Sequence, residues 1–257
     1  IQSAVTGGIG ASVSLRGAVD DVQQCRGSFT LSGKALVRNQ AALADLMQET
    51  FESARFDELP RIRELVAQER MYREQRVTSA GHSLAMVAAS AGLSPSAAQQ
   101  HNWNGLSGIK QLKALDDSLN DGEALSAFAA KLERLRDTLL QAPRQMLLIG
   151  KAEQREGITG HLQQRWQGHS VDASSGLYLP AAASGQLQQG WATSTQVNFC
   201  AKAYPGVCVE HDDSPALMIL GGFLRNNYLH RTIREQGGAY GGGAGFDTDS
   251  GAFRFYS

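Results

Sequence analysis

Residues 231–247 read Arg231-Thr232-Ile233-Arg234-Glu235-Gln236-Gly237-Gly238-Ala239-Tyr240-Gly241-Gly242-Gly243-Ala244-Gly245-Phe246-Asp247, and their order decides the fold class. Upstream, Ser214-Pro215 supplies an N-cap followed by Pro at the first helical position. Leu217, Leu220, Phe223, Leu224 and Leu229 then form one apolar face of a helix that runs to about residue 235 and stops at Gly237-Gly238. Downstream, the chain reads as two strands around the turn Asp247-Thr248-Asp249-Ser250-Gly251. A helix feeding antiparallel strands is an α+β arrangement. The glycines follow a helix instead of preceding one, and no Lys-Ser/Thr or dinucleotide fingerprint accompanies them, which argues against a phosphate cradle. A Tyr set among glycines has another use. Glycine lets a second backbone approach closely while the phenol keeps a hydroxyl at that spot, so Gly241, Gly242 and Gly243 can receive a peptide as an added strand.

Working outward, residues 9–19 and 27–36 alternate apolar or small with polar positions and read as an antiparallel strand pair. Asn39 offers an N-cap for a helix to about residue 54. Pro60 opens a long charged helix over 61–76, and 80–93 is Ala-rich and reads as a buried helix in which His82 is a hydrogen-bonded core histidine. Ser94-Pro95-Ser96 restarts the helical pattern. Asp121 precedes a stripe of Leu125, Phe128, Leu132, Leu135 and Leu139 that Pro143 ends. Residues 144–150, an apolar run between Pro and Gly, read as a buried strand, followed by a helix over about 153–166. From 168 to 190 the chain turns to Ala, Ser, Gly and Gln, the composition of a linker. Residues 197–204 alternate as a strand closed by Pro205-Gly206. The organisation is thus an α+β domain over 1–167 with an antiparallel sheet and helices packed on one face, a linker over 168–190, and the start of a second α+β domain over 191–257.

Composition narrows the function. The chain has 257 residues, 42% of them hydrophobic, and 24 Lys+Arg against 25 Asp+Glu. That permits a sizeable core and gives no global electrostatic drive toward nucleic acid or an anionic membrane. No stretch approaches the ~18 apolar residues of a membrane span. Three scattered cysteines make neither a disulfide framework nor a four-Cys zinc site and suit a reducing compartment, cytoplasm or organelle matrix. The chain begins with Ile1 and stops amid strand-like residues, so it reads as a piece of something larger.

The segment 214–257 carries a resemblance. Its Ser214-Pro215-Ala216-Leu217, Leu229-His230-Arg231-Thr232-Ile233-Arg234-Glu235, Gly237-Gly238-Ala239-Tyr240-Gly241 and Phe253-Arg254-Phe255-Tyr256-Ser257 resemble the C-terminal half of presequence protease-like members of the insulinase (pitrilysin) family of zinc metallopeptidases. The helix-rich stretch from Leu59 to Trp166 is similar by pattern to the family's third domain. The resemblance implies an α/β roll, a longer parent of four such domains in two halves closing around a peptide chamber, and a place in the second half. It also implies zinc in the parent's missing N-terminal half. The family's inverted His-x-x-Glu-His motif is absent. Its nearest approach, Val207-Cys208-Val209-Glu210-His211, has Val207 at the first ligand position, too little for an open three-ligand site.

Arg234 and Tyr240 match a family pair, an Arg and a Tyr six residues apart that reach across the chamber. The implied roles are a phenol donating to the scissile carbonyl as it becomes an oxyanion and a guanidinium that holds substrate or anchors that Tyr. The bland alternative is an Arg complementing a helix dipole and a Tyr packed between layers. The function implied is that of the non-zinc half of a metallopeptidase acting on short unstructured peptides, inactive alone and partnered by peptide substrate and the missing half. The alternatives are a non-catalytic scaffold and a free-standing peptide-binding subunit of the same fold.

Overall fold

The computed structural model describes residues 2–166, 185 and 187–257. Most of the expected linker 168–190 lies outside them. In chain order the elements are α1 (Gln2–Val5), β1 (Ile9–Gly17), β2 (Cys25–Gly33), α2 (Gln40–Glu52), α3 (Leu59–Ser79), α4 (Gly81–Ser90), α5 (Pro95–Asn104), α6 (Leu106–Ser118), α7 (Gly122–Gln141), α8 (Arg155–Arg165), β3 (Ala201–Pro205), α9 (Ser214–Leu224), a π-helix (Arg225–Gln236), β4 (Gly243–Asp247) and β5 (Ala252–Tyr256). The architecture is α+β, with small antiparallel sheets and many helices. Contacts gather the chain into two compact units. One is Ile1–Ser14, Ser28–Arg63 and Leu119–Gly176; the other is Leu15–Gly27, Glu64–Ser118 and Leu177–Ser257.

In the first unit β2 packs its Phe29 ring 6.4 Å from Phe51 of α2, and Phe51 lies 5.6 Å from Trp166 beyond α8. The Arg144 guanidinium sits over both Phe51 and Trp166, at 5.1 and 5.6 Å. Asn39 does not cap α2 with its side chain. Its amide instead donates to the Val5 carbonyl at 2.9 Å, tying α1 to α2. Asp121 does cap α7, accepting from the Glu123 N–H at 3.0 Å. The buried strand expected over 144–150 is not formed, and Leu147 and Ile149 are 86% and 85% exposed. An apolar run becomes a strand only beside a ladder partner that takes up its N–H and C=O groups, and none of the described strands lies alongside it.

The second unit is built on a three-stranded antiparallel sheet in the order β3-β5-β4. Central β5 aligns Phe253 with Phe246 and Phe255 with Ala244. These side chains share one face with Leu217 and Leu224 of α9 and with Leu229 and Ile233 of the π-helix, forming the core. Each large apolar side chain fully buried there contributes about 1.5–3 kcal/mol. On the opposite face, where alternate residues point, Arg254 donates to Ser90 of α4 at 2.8 Å and to Ser250 at 3.0 Å, and pairs with Asp247. His82 of α4 sits edge-on to Tyr256 and Phe199 at 5.4 and 4.9 Å, so ring packing holds it in place of the hydrogen bond expected for it. Helices therefore lie on both faces of this sheet.

Candidate functional site

The site is the route from α9 through the π-helix to β4. Pro215 takes an early position in α9, but Asp213 is its N-cap and makes no side-chain cap bond, while Ser214 is buried inside the helix. Gly221 lets α9 approach β4: a Cβ there would lie 2.8 Å from the Gly245 Cα and 3.1 Å from the Ala244 carbonyl. From Arg225 the helix widens, and at its end the Gly237 N–H donates to the Thr232 carbonyl, five residues back, at 2.9 Å. The core explains the widening. At about 100° per residue an α-helix would carry Leu229 roughly 140° away from Leu224 around the axis, whereas the wider turn keeps both against the sheet.

The π-helix stops where Gly238 adopts φ +70°, and the Ala239 N–H closes onto the Ile233 carbonyl at 3.1 Å. Tyr240 follows, 94% exposed. Gly241, Gly242 and Gly243 lead into β4. A Cβ on Gly242 would meet Ile233 Cδ1 at 2.8 Å and the Tyr256 carbonyl at 3.0 Å, and one on Gly243 would meet the Tyr256 ring at 2.6 Å. The Ser257 hydroxyl donates to the Gly241 carbonyl at 3.2 Å. Because β4 is an edge of its sheet, its outer side is open, among the described residues, to an added strand.

Arg234 lies exposed on the last turn of the π-helix, six residues before Tyr240. Neither side chain has a hydrogen-bond or ion-pair partner among the described residues, and no cation–π contact joins them. Tyr240 does not pack between layers, so the bland reading of that residue loses its geometric basis. What sequence reasoning missed is the support behind it, Tyr256 and Ser257 on the central strand. Their only local signal is that they close the apolar alternation of β5.

No group of three His, Cys, Asp or Glu among the described residues could hold a metal. At the nearest sequence approach, His211 Nδ1 accepts the Asp213 N–H at 3.1 Å and the Glu210 N–H donates to the Val19 carbonyl at 2.9 Å. With Val207 at the first ligand position and the imidazole already engaged, these residues do not fit a zinc ion. Arg254, by contrast, belongs to a packed network and has no open face of the kind Tyr240 presents.

Known proteins are similar to this chain along nearly its whole length. Residues 1–115 match the family model of a peptidase-associated domain, the one that accompanies peptidases of subfamily C of the insulinase (pitrilysin) family. Over 277 aligned residues the sequence is 27% identical to "Presequence protease, mitochondrial" of Danio rerio, covering 98% of this chain and 27% of that protein. With the protein of the same name from Yarrowia lipolytica it is 28% identical over 268 residues, 98% of this chain and 26% of the relative. With that of Kluyveromyces lactis it is 34% identical over 193 residues, 70% of this chain and 19% of the relative. The chain thus spans about a quarter of the length of the first two of these curated relatives.

Proposed function

The chain is a presequence protease-like member of the insulinase (pitrilysin) family of zinc metallopeptidases, and from that premise we propose that it serves the non-zinc half of a peptidase that degrades short unstructured peptides. In this reading residues 1–167 and 191–257 belong to the family's third and fourth domains, joined by a linker over 168–190. The zinc ligands lie in the parent's N-terminal half. The chain supplies chamber wall and an edge strand, β4, on which Gly241, Gly242 and Gly243 receive the substrate backbone. Tyr240 donates a hydrogen bond to the substrate carbonyl oxygen as negative charge develops there, and the Arg234 guanidinium holds a neighbouring carbonyl. The three free cysteines, Cys200 exposed among them, fit a reducing compartment such as the cytoplasm or an organelle matrix.

The exposure of Tyr240 carries this proposal. Leaving a phenol 94% accessible, between glycines and beside an open strand edge, gains nothing for packing. It leaves the hydroxyl free for a group that arrives from outside. In the full-length protein, Tyr240→Phe is expected to lower turnover by about 10²–10³-fold with zinc content unchanged. Turnover within about twofold of wild type would overturn the role and favour a non-catalytic scaffold that keeps the same strand edge.

A further inference from the structure

We propose that Ser257 is a positioning residue for Tyr240, acting through the Gly241 carbonyl; this rests on the reading of Tyr240 as the donor to substrate. Tyr240 stands between conformationally loose residues. Gly238 is left-handed at φ +70°, Gly241 has nothing within 4 Å of where a side chain would be, and the phenol itself touches no hydrogen-bonding partner among the described residues. A donor on such a tether would lose much of its value, because electrostatic support of an oxyanion depends on being in place before charge develops.

Among the described residues, one side-chain hydrogen bond reaches the loop from Gly237 to Gly242, and Ser257 makes it. Its Oγ donates to the Gly241 carbonyl at 3.2 Å in a half-buried setting. Ser257 is itself fixed. Its N–H donates to the Cys200 carbonyl at 2.9 Å and its carbonyl accepts the Cys200 N–H at 2.8 Å, extending the β3–β5 ladder by a residue pair. The neighbouring Tyr256 ring lies over Gly243 and its carbonyl lies close to Gly242, while His82 of α4 braces that ring at 5.4 Å. The central strand thus grips the loop immediately after Tyr240 by one hydroxyl and one ring. The hydroxyl is the contact that reaches the adjacent peptide unit.

The experiment uses full-length enzyme, a fluorogenic peptide, and the variants Ser257→Ala, Ser257→Thr, Tyr240→Phe and the Ser257→Ala/Tyr240→Phe double. Ser257→Ala is expected to lower kcat about three- to tenfold, the scale of one ordinary hydrogen bond, with KM changed less than about twofold. Ser257→Thr keeps the hydroxyl and suits a strand, so it restores kcat. In the Tyr240→Phe background, Ser257→Ala adds nothing further, because the group it positions is gone. A slow Tyr240→Phe enzyme beside a Ser257→Ala enzyme of wild-type kcat overturns the proposal, as does an undiminished Ser257 effect in the double variant. If Tyr240→Phe is itself fully active, the underlying reading fails instead. Amide exchange at Gly241 and Gly242 then still decides the positioning: about threefold or more acceleration in Ser257→Ala supports it, and unchanged exchange overturns it.

Discussion

Two glycines three positions apart, with opposite demands, show the logic of the site at the scale of single residues. Gly238 holds φ +70°, a region where an L side chain crowds its own backbone. Gly241 has ample space and no positive φ. Gly238→Ala is therefore expected to destabilise the protein by about 1 kcal/mol, read as a lower urea midpoint, while Gly241→Ala leaves the midpoint unchanged. Equal effects at the two positions would show that the cap after the π-helix does not depend on the left-handed residue. Little of this is legible in the sequence. The run of glycines announces loose backbone, but which glycine is obligatory depends on where the helix ends, and a one-residue widening of the turn moves that point. Arg234 and Tyr240 likewise stand out through a family pattern, not through composition. Their environment adds exposure, a sheet edge and the hydroxyl of Ser257, none of which spacing could foretell.

Among the elements, helices are the readable part, because their signals are local. Ser94 accepts the Ala97 N–H with Pro95 just inside α5, and Asp121 caps α7 in the same way; both lie where the sequence places them. The strand expected over 144–150 fails because strands need a partner that no local pattern guarantees. The π-helix reads in sequence as one continuous α-helix because the two differ only in which carbonyl each N–H selects. One helix also carries a pH signature. His101 in the last turn of α5 is 7% exposed, sits edge-on to Trp191 at 5.8 Å, and leaves Nδ1 without a partner among the described residues. Burial pushes its pKa below the ordinary imidazole range. The folded state thus favours the neutral ring and the unfolded state binds the proton more readily. Stability should be level above about pH 6.5 and should fall as the pH drops from there through the lowered folded-state value. Melting temperatures between about pH 5 and 7.5 should show this slope, and His101→Gln should flatten it. An unchanged slope in the variant would place the acid sensitivity elsewhere.

For the molecule as a whole, the decisive quantity is the share of its relatives that it covers, 27% and 26% for two of them at 98% coverage of this chain. A family whose chemistry needs metal, general base and oxyanion support in one chamber can distribute these over a long chain, and the described residues contain a candidate for the last only. His211, the histidine nearest to a ligand motif, has its Nδ1 occupied by the Asp213 amide, and a single carboxylate beside it leaves coordination far short of three protein ligands. Metal affinity at such a place should be weak and easily reversed, since a structural or catalytic zinc site draws its affinity from several preorganised donors. The 257-residue chain, purified, exposed to zinc and desalted, is therefore expected to retain well under one equivalent and to leave a fluorogenic peptide uncleaved, whereas the full-length protein retains zinc and cleaves it. Stoichiometric zinc on the 257 residues, with peptide hydrolysis that a chelator abolishes, would overturn the division of labour proposed for Arg234 and Tyr240. Zinc retained without hydrolysis would contradict only the assignment of the ligands to the N-terminal half, since oxyanion support from Tyr240 does not depend on which chain segment holds the metal.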